Sequence, residues 1–182
     1  MPMTSPSELF LHELGDIYDE ESRLLQILPA LASEVDNQQV KQAFQQHLQE
    51  TQQQVKNIEQ VFQMLGQQPK RMTCSAIQGL KQEHDTFMKQ ENPSPQITTM
   101  FDLGAAAKTE HYEIASYEGL IEQCQLMGQQ DCAQLLRQNL QQEQAMAQRV
   151  SQLSKQLGQQ MIGPLSGQAN QLQTGQQPSS GL

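Results

Sequence analysis

The stretch FDLGAAAKTEHYEIASYEGLIEQC, residues 101–124, decides the fold class. One face of this segment recurs at alternating steps of four and three residues, which is typical of an α-helix packed against other helices. The residues on that face are Leu103, Ala107, Glu110, Ile114, Tyr117, Ile121 and Cys124. An acidic residue, Glu110, therefore interrupts a face that is otherwise apolar or aromatic. The segment predicts a long packed helix that carries a carboxylate toward the core.

Three other segments show the same spacing. The first helix is predicted to begin at Ser7 as its N-cap, to bend or end its regular part at Pro29, and to continue to Val35. The second runs from the Asp36–Asn37 pair to Gly66, the third from Gln96 to Met127, and the fourth from Asp131 to Gly158. Residues 67–95 contain three prolines and one short amphipathic stretch, and they predict a long connection that includes a short helix.

These segments predict an all-α protein. Short loops join the first helix to the second and the third to the fourth, so each of those pairs is antiparallel. The long connection can return the chain along the molecule, which makes the second and third helices parallel. The expected architecture is a ferritin-like four-helix bundle over residues 7–158, with a helix-containing crossover between helices 2 and 3. Residues 159–182, rich in Gln, Gly, Pro and Ser, are predicted to be a mobile tail.

Composition excludes several classes of function. The net charge of -9 and the pI of about 4.8 argue against nucleic-acid binding and against a polybasic membrane anchor. No apolar stretch is long enough to span a bilayer, and the N-terminus lacks the pattern of a secretory signal. Three cysteines without a CxxC motif argue against a disulfide framework or a thiolate zinc site. We therefore expect a cytoplasmic protein with neither nucleic-acid nor membrane partners.

Carboxylates interrupt the apolar face of every long helix. Glu21, Glu50, Glu110 and Glu143 fall on or beside these faces, each near the middle of its helix. His47 lies one turn before its neighbouring Glu on the second helix, and Glu113 lies one turn after its neighbour on the third. At about 1.5 Å of rise per residue, all four helices bring these groups to a similar depth. The sequence thus predicts one layer of the core that holds five carboxylates and an imidazole.

Such a layer needs neutralisation, because a buried unpaired carboxylate costs several kcal/mol. No Lys or Arg occupies these depths on the apolar faces, so two divalent cations bridged by carboxylates are the simplest prediction. Oxygen ligands with one imidazole suit iron or manganese better than zinc or copper. Alternatives remain at single positions: any one Glu can be an edge residue, Glu113 lies off the centre of its face, and His47 can be a core histidine. His12 and His84 are expected at exposed positions or helix edges.

Five segments of the chain closely resemble the YciE/YciF family of ferritin-like stress proteins, which is also described as a ferroxidase family. The segments are ELFLHELGDIYDEESRLL, QAFQQHLQETQQQV, KRMTCSAIQGL, KTEHYEIASYEGL and LQQEQAM. The resemblance implies a ferritin-like bundle, a homodimer and a di-metal carboxylate site with two iron ions. By motif, it assigns the metal ligands to Glu21, His47, Glu50, Glu110, Glu113 and Glu143. The wider ferritin-like pattern places a His three residues after a ligand Glu, whereas here Gln53 and Met146 occupy those positions.

The expected function is oxidation of Fe(II) with dioxygen or peroxide in a stress response. Two rivals remain at this stage. One is a di-metal protein that consumes peroxide, and the other is a non-enzymatic bundle, stabilised by metal, that acts through protein–protein contacts.

Overall fold

The computed structural model describes residues 2–173 of the chain, with side chains to residue 162. This part of the chain is all-helical, and its five helices are α1 (Pro6–Glu34), α2 (Gln38–Met64), α3 (Ser75–Glu91), α4 (Pro95–Leu126) and α5 (Gln130–Gln173). The four long helices contact one another in a closed ring, in the order α1, α2, α5, α4 and back to α1, while α3 packs on α4. None of the described helices has the combination of length and hydrophobicity that a membrane-spanning segment needs.

The directions of the four long helices follow from two apolar clusters, one toward each end of the helices. The first cluster joins the later turns of α1 and α5 to the earlier turns of α2 and α4, and the second joins the opposite halves. Representative residues, in the order α1, α2, α4, α5, are Leu28, Phe44, Leu103 and Val150 in the first cluster and Leu14, Phe62, Leu120 and Leu136 in the second. Hence α2 and α4 run one way and α1 and α5 the other, as the loop lengths predict.

The connection between α2 and α4 crosses α1. Gly66, with a φ of 68°, turns the chain after α2 without the steric cost that a side chain would add. The backbone of Met72 then donates a hydrogen bond to the Gly15 carbonyl at 2.9 Å, and the backbone of Cys74 donates one to Asp19 at 3.0 Å. Arg71 also pairs with Asp19. These contacts anchor the start of α3 against α1.

The start of α1 corrects one prediction. Ser5, not Ser7, is the N-cap: its side chain accepts a hydrogen bond from the backbone of Glu8, whose carboxylate accepts one from the backbone of Ser5 in return. This reciprocal capping box, followed by Pro6 in the first turn, satisfies free backbone donors better than Ser7 could. The helix then continues through Pro29 to Glu34.

The end of α5 corrects a second prediction. The helix does not stop at Gly158 but continues to Gln173. A glycine inside a helix costs only about 1 kcal/mol, and the partly buried Met161 packs against the first apolar cluster beyond it. Of the predicted mobile tail, residues 174–182 lie outside the described part of the chain.

Candidate metal centre

A polar layer separates the two apolar clusters. It is formed by what we call the buried cluster, five glutamates and one histidine, each at most 1% exposed. The members are Glu20 and Glu21 on α1, His47 on α2, Glu110 and Glu113 on α4, and Glu143 on α5. These groups lie at one depth because each is located along its helix between the residues that form the two apolar clusters. Five of the six predicted site residues therefore meet inside the protein.

Four members of the buried cluster lie close enough to share one ion. One ligand atom from each of His47, Glu110, Glu113 and Glu143 falls within 4.8 Å of the others. The His47 Nε2 atom lies 3.3 Å from Glu110 Oε1 and 3.8 Å from Glu143 Oε2. The residues come from three different helices, so tertiary packing creates the group.

The buried cluster is short of hydrogen-bond donors. Both carboxylate oxygens of Glu20 and of Glu113 lack a partner, as does one oxygen each of Glu21, Glu110 and Glu143. Neither ring nitrogen of His47 makes a hydrogen bond. Buried polar groups in folded proteins are normally paired, and an unpaired carboxylate costs more than a neutral group. These free ligand atoms fit the coordination requirements of bound cations.

The electrostatics of the layer lead to the same conclusion. Burial, followed by repulsion from Glu143, raises the pKa values of Glu21, Glu110 and Glu113 well above the usual range. Burial, with repulsion from Asp16 and Glu143, raises the pKa of Glu20 to about 9. Among the described residues, no Lys or Arg forms an ion pair with any of these carboxylates. Without a cation, the fold therefore favours the protonated form of these carboxyl groups.

Neutral polar side chains orient part of the buried cluster. The Tyr117 hydroxyl donates a hydrogen bond to Glu21 and accepts one from the Asn139 amide at 3.0 Å. The Gln54 amide donates a hydrogen bond to Glu143. The bonds to Glu21 and Glu143 each use one carboxylate oxygen and leave the other oxygen of the same group free. The surrounding residues thus hold the carboxylates in place while preserving free ligand atoms.

Glu50 is placed differently from the other predicted ligands. Its side chain is 25% exposed, and its Oε2 atom lies 3.7 Å from His47 Nδ1. The Gln46 amide donates a hydrogen bond of 2.8 Å to its other oxygen. The structure therefore puts Glu50 at the edge of the layer, next to the outward-facing nitrogen of His47. A role as a ligand would require its carboxylate to turn inward.

Glu20 is a site residue that the sequence pattern did not single out. It is fully buried beside Glu21, and neither of its oxygens has a hydrogen-bond partner. A signal existed, because Glu20 lies three residues after Ile17 and four before Leu24, which is the spacing of a core position. The helical face is broad enough to bury both neighbouring glutamates.

The chemistry of the donor set suits hard divalent cations. Carboxylate oxygens with a single imidazole are the ligands of iron and manganese, and several carboxylates can bridge two ions. The orphaned oxygens are distributed over α1, α4 and α5, which is enough for more than one ion. Bound cations would replace protons as the source of neutralisation. The residues present therefore fit a metal centre.

Comparisons with known proteins agree with the fold and the resemblance. A family model described as a domain of unknown function, DUF892, matches residues 5–162. The Escherichia coli protein YciF is 35% identical over 146 residues, which cover 80% of this chain and 87% of YciF. The crystal structure of the E. coli stress protein YciF matches with a TM-score of 0.80 at 33% identity, covering 85% of this chain and 98% of the other.

A second solved structure, YcfI from Rhodopseudomonas palustris, matches with a TM-score of 0.79 at 34% identity, covering 81% of this chain and 94% of YcfI. The similarity in sequence thus extends over most of both chains and coincides with a similar path of the backbone. The chain belongs to the DUF892 family and is a relative of YciF.

Proposed function

We propose that the protein is a di-metal carboxylate oxidoreductase, most simply a di-iron protein that oxidises Fe(II) with dioxygen or peroxide during stress. In this proposal α1, α2, α4 and α5 form a ferritin-like four-helix bundle, and the helix-bearing connection is its crossover. The observation that carries the proposal is the layer of five buried glutamates whose free oxygens lack donors. A protein that had no use for cations would gain stability by replacing these residues with apolar ones.

The ligand assignment divides the buried cluster between two ions. His47, Glu110, Glu113 and Glu143 are close enough to hold one ion together. Glu20 and Glu21 are buried in the same layer on α1, and we propose that they would hold the second ion together with carboxylates of α4 and α5. Glu50 remains a proposed ligand at the edge.

The surrounding residues supply orientation and exclude water. Tyr117 and Gln54 fix one oxygen each of Glu21 and Glu143, so that the free oxygens keep their positions when ions bind. The apolar clusters above and below the layer keep bulk water away. Two Fe(II) ions held here would supply one electron each, and these two electrons with two protons would suffice to reduce dioxygen to hydrogen peroxide, or hydrogen peroxide to water. Anionic ligands favour the ferric product.

The oligomeric state and the location of the protein are proposed from the family resemblance and from the cysteines. We propose a homodimer and a cytoplasmic location. Cys74, Cys124 and Cys132 are free and buried, and burial raises the pKa of the Cys124 thiol to about 12. Inert, buried thiols are compatible with a reducing compartment.

The test is aerobic titration of metal-free protein with Fe(II), followed by the growth of ferric absorbance. Wild type is compared with Glu110→Gln and Glu143→Gln. Glu118→Gln serves as the matched control, because it removes an exposed carboxylate from the same helix as Glu110. We expect the two buried variants to lose most of the oxidation rate and the control to keep it. Equal rates in all four proteins would reject the proposal.

Metal content separates the proposal from its non-enzymatic rival. Protein purified without chelator is analysed by mass spectrometry and then by Fe(II) binding in the absence of oxygen. Two ions per chain in the buried cluster support the di-metal centre. Bound metal without oxidation by dioxygen or peroxide supports a metal-stabilised bundle, and loss of peroxide without net iron turnover supports a peroxide-consuming protein.

A further inference from the structure

A second group of acidic and imidazole side chains lies apart from the buried cluster. We call it the outer cluster: Glu34 at the end of α1, His84 on α3 and Asp102 on α4. The His84 Nε2 atom lies 3.3 Å from Glu34 Oε2 and 3.2 Å from Asp102 Oδ1. One ligand atom from each residue falls within 4.8 Å of the other two. Packing of α3 against α4 maintains this approach, with Phe87 stacked on Phe101 at a centroid distance of 3.9 Å.

Asp102 is the feature of the outer cluster that points to a ligand. Its side chain is fully buried, and neither carboxylate oxygen accepts a hydrogen bond. The Nε2 atom of His84 also lacks a hydrogen bond, although it lies beside two carboxylates. Among the described residues, no Lys or Arg pairs with Asp102, and the single imidazole of His84 faces both this carboxylate and that of Glu34. A buried carboxylate of this kind costs several kcal/mol unless a cation or a donor compensates it.

The position of the outer cluster links it to the buried cluster. A cavity of about 600 Å³ lies between α1, α3 and α4, and its wall includes Glu34 and His84 of the outer cluster as well as His47 and Glu110 of the buried cluster. Much of the remaining wall is apolar, contributed by Leu24, Leu28, Leu31, Ile77 and Ala106. Glu34 and His84 also line a second cavity of about 620 Å³, together with Asp36, Asp85 and Lys89. Glu34 and His84 thus line both cavities, and Asp102 lies behind them in contact with His84.

We propose that the outer cluster is a divalent-cation site, with Glu34, His84 and Asp102 as ligands. Metal ions bound there would pass through the cavity of about 600 Å³ to the buried cluster. The binding site stands on its own geometry, whereas its role in delivery rests on the function proposed above. Three protein ligands leave coordination positions for water, so the ion can exchange. An acidic site of this kind concentrates cations before they cross the apolar stretch of the cavity.

The first experiment counts ions, with Mn(II) alone as the probe and oxygen excluded. A chain that carries Glu113→Gln and Glu143→Gln has an impaired buried cluster, and we expect it to retain one Mn(II) in equilibrium dialysis. Adding Asp102→Asn or His84→Gln should remove that ion. Glu83→Gln is the matched control, since it removes an exposed carboxylate next to His84. Retention of the ion in both Asp102→Asn and His84→Gln backgrounds would overturn the site.

The second experiment tests delivery in chains whose buried cluster is intact. Mn(II) uptake is followed by the loss of the free-ion paramagnetic resonance signal after rapid mixing. Asp102→Asn and His84→Gln should slow loading of the buried cluster about tenfold or more, while final occupancy there stays that of wild type. An unchanged loading rate would overturn delivery through this route.

Failure of the outer cluster and failure of the proposed function give different results. If Glu113→Gln with Glu143→Gln binds as many ions as wild type, the buried metal centre is wrong and the outer site is unaffected. If the Asp102→Asn and His84→Gln substitutions leave the number of bound ions unchanged, while Glu113→Gln with Glu143→Gln lowers it, the outer site is wrong and the buried centre stands. Far-UV circular dichroism and thermal unfolding confirm that each variant is folded, and His84, at the partly exposed edge of α3, provides the variant with the smaller risk to folding.

Discussion

Glu113 shows most clearly how one residue can oppose stability and support binding. Its side chain is fully buried without a partner for either oxygen, and burial and neighbouring carboxylates raise its pKa. Replacement by Gln keeps the shape and removes the ionisable group. We expect Glu113→Gln to stabilise chelator-treated protein at pH 7 by about 1 kcal/mol or more. Urea unfolding with and without Mn(II) measures this, and the variant should lose most of the stabilisation that Mn(II) gives wild type.

The control for that prediction is Glu118→Gln on the same helix, whose side chain is exposed. Its unfolding free energy should stay within about 0.5 kcal/mol of wild type, with the response to Mn(II) retained. A metal-free Glu113→Gln protein that is less stable than wild type would show that the carboxyl group has a structural partner instead.

Glu20 and Glu50 are competing candidates for the remaining ligand positions. Glu20 is fully buried with two free oxygens, whereas Glu50 is 25% exposed and accepts a hydrogen bond from Gln46. We expect Glu20→Gln to lower the number of Mn(II) ions held in the buried cluster from two toward one, and Glu50→Gln to weaken binding there less. Equilibrium dialysis at several Mn(II) concentrations separates these results. A larger loss of Mn(II) binding in Glu50→Gln than in Glu20→Gln would identify Glu50, and not Glu20, as the ligand.

Among elements, the crossing of α1 by the chain after α2 sets the tightest steric constraint. A Cβ atom at Gly15 would lie 2.6 Å from Met72 Cγ and 2.7 Å from the backbone oxygen of Lys70. Backbone cannot move aside as a flexible side chain can. We expect Gly15→Ala to lower the unfolding free energy by about 1–3 kcal/mol, measured by urea denaturation.

A second glycine provides the comparison for this element. Gly104 is exposed on α4, and a Cβ atom there would meet nothing within 4 Å. Gly104→Ala should therefore stabilise the protein by about 0.5–1 kcal/mol through helix propensity. Equal effects of the two substitutions would contradict the close crossing.

For the whole molecule, the buried cluster predicts an unusual dependence of stability on pH. An ordinary Glu has a pKa of 4.5, and in the folded state that of Glu20 is about 9, so the folded state binds more protons between these values. Glu21, Glu110 and Glu113 act in the same direction. The metal-free protein should thus lose stability as the pH rises from about 5 to 9, by up to about 1.4 kcal/mol per pH unit for each proton.

Bound metal should reverse this trend, because the ligands must be deprotonated before they coordinate. Thermal unfolding at pH 6 and pH 8, with chelator or with Mn(II), measures both effects. We expect a lower Tm at pH 8 with chelator and a larger gain from Mn(II) at pH 8. A Tm in chelator that increases between these two pH values would be inconsistent with a metal-free layer of protonated glutamates.

Local spacing along the chain was enough to predict the helices and most of the residues on their inner faces. Spacing along a helix is a local property, so Glu110 and Tyr117 could be placed on one face without knowledge of any neighbour. Glycines also mark the turns after α2 and α4, because Gly66 and Gly128 adopt positive φ values of 68° and 73° there. Five of the six predicted ligands are in the buried cluster for the same reason.

The width of each buried face, and the residues that lie across from it, depend on how the helices pack together. This packing buried Glu20 beside Glu21 and left Glu50 at the edge, because the angle at which neighbouring helices approach determines which flanking positions are covered. It also brought Glu34, His84 and Asp102 together from three helices, although each alone looks like an ordinary polar residue. Contacts between residues far apart in sequence depend on packing, which no local pattern specifies.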